Sequence, residues 1–62
     1  MVQLSDRIRA CYKKAADCRE RAKAVNDEKI KADILEIERS WVRLAMSYEY
    51  MQSVAVNVSR ST

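Results

Sequence analysis

Neither glycine nor proline occurs anywhere in the 62 residues, and that absence constrains the fold more than any motif. A β or α/β domain of this size needs tight turns, bulges and left-handed caps, positions that ordinarily fall to those two residues. An all-β chain is excluded first. What remains is a helical scaffold whose turns have to be made by Asn, Asp or Ser.

Small or apolar residues recur at Leu4, Ile8, Cys11, Ala15, Cys18, Ala22 and Val25, at alternating intervals of four and three. This heptad pattern predicts a helix over about 5–25 that packs nearly parallel or antiparallel to another. Ser5 suits its N-cap, Asp6 its first turn, and Arg19, Arg21 and Lys23 its C-terminal end. Asn26 and Asp27 interrupt the pattern and read as a turn at 26–27, with Glu28 opening the next helix. The second helix is expected over about 28–56, with a bulky seam at Ile30, Ile34, Ile37, Trp41, Leu44, Tyr48, Met51, Ala55 and Val58. The β-branched and polar residues 57–62 are expected to fray.

The predicted fold is therefore all-α: an antiparallel two-helix hairpin forming a single domain over 1–62. One continuous helix through Asn26 and Asp27 is the alternative, since both are weak helix formers and not breakers. In the hairpin, positions summing to about 52 lie opposite, so that Ile34 meets Cys18, Ile37 meets Ala15 and Trp41 meets Cys11. Large residues then face small ones. Two apolar surpluses remain. Leu35, Val42 and Ala45 lie beside the seam, with Tyr12 and Ala16 on the matching flank, and the second helix outlasts the first. Chains this short bury little core, so a homodimer forming a four-helix bundle is expected.

Catalytic chemistry has little to work with. The chain has no histidine, which removes Ser/His and Cys/His nucleophile activation and imidazole metal ligation. Asp33, Glu36 and Glu38 point in different directions around a helix. No enzyme activity, catalytic residue, metal or cofactor is expected. Cys11 and Cys18 stand two helical turns apart, about 10.5 Å, beyond disulfide reach. They are expected to be reduced thiols packed as small apolar residues, although four of them in one layer of a dimer would suffice for zinc.

The longest apolar run is three residues, as in Leu44 to Met46. Neither a signal-peptide core nor a membrane span is present, and a cytoplasmic location is expected. Charge is uneven: residues 1–25 carry seven basic and three acidic side chains, whereas 26–62 carry five and six. Arg7, Lys14 and Arg21 recur at seven-residue intervals along one edge and are the candidates for nucleic-acid contact. The competing reading is a solvated flank that pairs with acids such as Asp33.

The layout Tyr12-x-x-Ala15-x-x-Cys18-Arg19-x-x-Ala22, an Asn-Asp-Glu turn, and Leu35 through Trp41-x-x-Leu44-Ala45 resembles a group of short proteins of rhizobia and related alphaproteobacteria. The resemblance covers about residues 8–49 and departs at Asp27-Glu28, where those proteins often carry Asp-Pro. It implies a helical hairpin in a bacterial cytosol and no activity. By size and type alone the chain is also similar to small antiactivators that bind and block quorum-sensing transcription factors, and in architecture to Rop-like RNA-binding helical dimers.

These expectations converge on a non-catalytic protein-interaction module, a small bacterial regulator that binds and inhibits a transcription regulator. Leu35, Val42, Met46, Tyr50, Met51 and Val54 are the expected partner or dimer contacts. A nucleic-acid-binding helical dimer and a purely structural assembly unit are the alternatives.

Overall fold

A computed structural model describes residues 3–61, with side chains described for 3–56. Two helices account for nearly all of it: α1, Leu4–Ala24, and α2, Glu28–Ser61. They pack against each other as an antiparallel hairpin 54 Å long, 18 Å wide and 13 Å deep. No strand occurs among the described residues. The backbone of α2 stays helical to Ser61, past the expected end at 56. Seam residue Val58 and the other side chains of the tail 57–62 lie outside the described residues.

The turn is Val25–Asp27, one residue longer than expected, and no residue in it needs positive φ. Val25 leaves α1 in extended conformation, φ −93° and ψ 132°. Asp27 then closes the turn: its Oδ1 accepts from the backbone N–H groups of Lys29 at 2.9 Å and Ile30 at 3.2 Å. Those are two of the donors that a helix start leaves without an intrahelical partner, and a carboxylate there also suits the helix dipole. At the other end Gln3, not Ser5, occupies the N-cap of α1, and its side chain makes no capping bond.

The core is built where small residues meet. Cys11, Ala15 and Ala22 of α1 and Ala45 of α2 are the buried residues, and no larger side chain is fully buried among the described residues. The expected seam of α1 therefore holds. On α2, however, the residues turned toward α1 are the buried Ala45 and the half-buried Ile34, Leu35, Glu38, Trp41, Val42 and Tyr48, with Leu35 and Val42 to one side of Ala45 and Trp41 and Tyr48 to the other. Ile30, Ile37, Leu44, Met51 and Ala55, five of the nine residues of the expected seam, are exposed. The physical reason is close approach: a helix presenting Ala and Cys packs most tightly on another small residue, and Ala45 is 0% exposed. The bulky side chains straddle the contact line and do not insert into it.

Register shifts as well. The cross-helix contacts Lys14–Trp41, Arg7–Tyr48, Arg19–Glu38 and Tyr12–Glu49 join positions that sum to 55, 55, 57 and 61, all above the expected 52. Val25 leaves α1 in extended conformation, and the first turn of α2 starts at Glu28. Ile30, 49% exposed, belongs to that turn.

Two substitutions check this account by urea unfolding followed by circular dichroism. Asp27→Ala is expected to cost about 1 kcal/mol through loss of the cap. Ala45→Leu is expected to cost about 1–3 kcal/mol, because a larger side chain forces the helices apart at their closest contact.

Candidate protein interface

The hairpin has two unlike sides. On one, polar links tie the helices together. The Tyr12 hydroxyl donates to Glu49 Oε1 at 2.9 Å, and Arg19 Nη1 lies 3.8 Å from Glu38 Oε2. Within α2, on its solvent-exposed surface, Arg39 donates to Glu36 Oε2 from Nη2 at 2.8 Å and from Nε at 3.3 Å. That fork holds the Glu36 carboxyl below its ordinary value of 4.5, chiefly through the hydrogen bond and then through the guanidinium charge.

On the other side α1 presents Arg7, Lys14 and Arg21, and α2 presents its exposed heptad line of Ile30, Ile37, Leu44 and Met51. No charged pair crosses between the helices here among the described residues. Instead the Lys14 ammonium sits 5.4 Å from the centroid of the Trp41 ring, and the Arg7 guanidinium 5.9 Å from that of Tyr48. Cation–π contacts at such an exposed surface contribute about 0.5–1 kcal/mol each. Lys14, Asp17, Cys18 and Arg21 together with Ile34, Ile37 and Trp41 line a shallow cleft of about 310 Å³.

This geometry separates the expected contact residues into three groups. Leu35 and Val42 are half-buried on the face turned to α1, so they serve the hairpin itself; the sequence pattern alone had put them beside the seam. Met46 and Tyr50, 57% and 71% exposed, stand on the side closed by Tyr12, and Val54 continues their ridge. Met51 belongs to the opposite apolar line. The residues that sequence reasoning missed as surface are Ile30, Ile37 and Leu44, because a seam at 4-3 spacing marks an apolar face and does not say which partner covers it.

The basic line keeps its predicted alignment on one edge. Two of its three members rest on aromatic rings, and Arg21 borders the cleft. Asp33, expected to pair with this line, is exposed and forms no ion pair among the described residues. Both cysteines are free thiols, Cys11 buried and Cys18 half-buried at the cleft. No cluster of three metal-ligating residues occurs among the described residues, and no described helix is long and apolar enough to cross a membrane.

The Tyr12–Glu49 bond gives a pH-dependent test. The hydrogen bond, followed by partial burial and the carboxylate charge, raises the phenol above its ordinary 10.0. A raised folded-state value adds stability that is fully present below 10.0 and is lost as pH rises through the higher folded value. Wild-type protein is therefore expected to melt above Tyr12→Phe at pH 7, with the difference closing above pH 10.

Comparison with protein-family models, curated proteins and solved structures finds no match.

Proposed function

We propose that the chain is a non-catalytic protein-interaction module, a small regulator that docks on a transcription regulator and masks its working surface, as an antiactivator does. The observation that carries this reading is the exposed line of Ile30, Ile37, Leu44 and Met51. Contiguous apolar surface of this kind on a short chain marks an interaction site, and Met with aromatic neighbours suits an adaptable one. A bacterial cytoplasm is the setting this reading assumes.

Self-association into a four-helix bundle is part of the same proposal. With only Cys and Ala buried, a lone hairpin gains little from its core, and small scaffolds of this kind are stabilised by a second copy. Tyr12, Met46, Tyr50 and Val54, on the side opposite the basic edge, are the surface proposed for that contact.

Two measurements test the pair of statements. Sedimentation equilibrium is expected to give a dimer for the wild type and a shift toward monomer for Tyr50→Ala combined with Val54→Ser. Tagged protein expressed in a bacterial host is expected to retain a transcription regulator and to abolish that regulator's binding to DNA, while Ile37→Lys with Leu44→Lys restores it. Retention of structured RNA or duplex DNA with a steep salt dependence, and of no regulator, would overturn the reading in favour of nucleic-acid binding through Arg7, Lys14 and Arg21.

A further inference from the structure

We propose that the groove between the basic edge of α1 and the apolar line of α2 receives an acidic amphipathic helix of the partner protein; this rests on the interaction-module reading and names the chemistry of the partner. Both rails repeat every seven residues, and Lys14, Arg21 and Ile37 of them line the cleft itself. Arg7, Lys14 and Arg21 form one, and Ile30, Ile37, Leu44 and Met51 the other. Seven residues of helix advance about 10.5 Å, so a straight helix with an apolar heptad seam and carboxylates at seven-residue spacing on one flank meets both rails in register. Neither α1 nor α2 carries a proline or glycine to bend it away.

Charge decides between occupants. A second copy fits the groove poorly in either twofold arrangement that lays the two grooves face to face. An axis along the helices sets the cations of each copy on the bare apolar line of the other. An axis across them brings the two basic edges together, Lys14 against Lys14. An acidic helix meets neither obstacle. Asp17 is the one acid lining the cleft, between Lys14 and Arg21, and leaves the edge net cationic. The ring faces of Trp41 and Tyr48 are now covered by Lys14 and Arg7. When those cations turn to incoming carboxylates, the rings are left to pack on the partner's apolar seam.

The chain has a single tryptophan, so Trp41 emission reports on the groove directly. The probe is a synthetic 21-residue helical peptide with Leu at its heptad seam and Glu along one flank, compared with the same peptide carrying Lys in place of Glu. The Glu peptide is expected to bind with a blue shift of Trp41 emission that weakens with salt, and the Lys peptide is not. Lys14→Glu with Arg21→Glu is expected to lower affinity for the Glu peptide about tenfold or more, for two lost charge pairs, and to create affinity for the Lys peptide. That gain shows that the variant is folded. Equal binding of both peptides, or binding of neither, overturns the proposal. So does Ile37→Lys dissociating a wild-type dimer, which would assign the groove to a second copy. If a regulator is captured equally well by wild type and by Lys14→Glu with Arg21→Glu, this inference falls while the proposed function stands.

Discussion

Everything in this hairpin depends on how closely two helices can approach when the contact line is made of Ala and Cys. Cys11, Ala15 and Ala22 offer no bulk, so α2 comes near enough for Ala45 to be fully covered. Side chains with more volume are pushed to the flanks. Leu35 and Val42 fall on one flank and Ile34, Trp41 and Tyr48 on the other, each half-covered. A close contact of small residues thus produces an apolar surface as a by-product: tighter backbones leave less room between them for the large residues the sequence contains.

The two flanks are then treated differently by the polar residues around them. One is sealed by Tyr12 to Glu49 and Arg19 to Glu38, contacts that fix rotation of one helix about the other more than they add stability, since exposed ion pairs contribute at most about 1 kcal/mol. The other is bordered by cations that lean on aromatic rings. A lysine or arginine in that position covers apolar area with its alkyl stem while keeping its charge in water. It can also swing away without breaking a bond to the opposite helix. The molecule therefore has one side held together and one side held open.

Much of this was legible in the sequence. The absence of Gly and Pro, the two heptad seams and the Asn-Asp-Glu interruption were enough to specify a two-helix hairpin, and the seam of α1 was placed correctly because small residues at 4-3 spacing admit one packing direction. The seam of α2 is legible only in part, since Ile34, Trp41 and Tyr48 are half-buried while Ile30, Ile37, Leu44 and Met51 are exposed, and the reason is physical. Bulky residues define the most apolar direction on a helix, whereas packing against a small-residue helix favours the direction of closest approach, which runs through Ala45. Leu35 and Val42 changed role with that rotation of α2, and Ile30, Ile37 and Leu44 emerged as surface. The register is not legible either, because it follows from the backbone path through Val25–Asp27, which residue type does not encode.

The three-residue turn has a kinetic consequence. Closing it brings together residues such as Cys18 and Ile37, which line the same cleft, at short sequence separation, while the Tyr12–Glu49 bond spans 37 residues. Loop-closure entropy then favours a folding nucleus at the Asp27 end, with docking that spreads toward the open end of the hairpin. Contacts near Asp27 are expected to set how fast the hairpin forms, and those near Tyr12 how long it persists once formed.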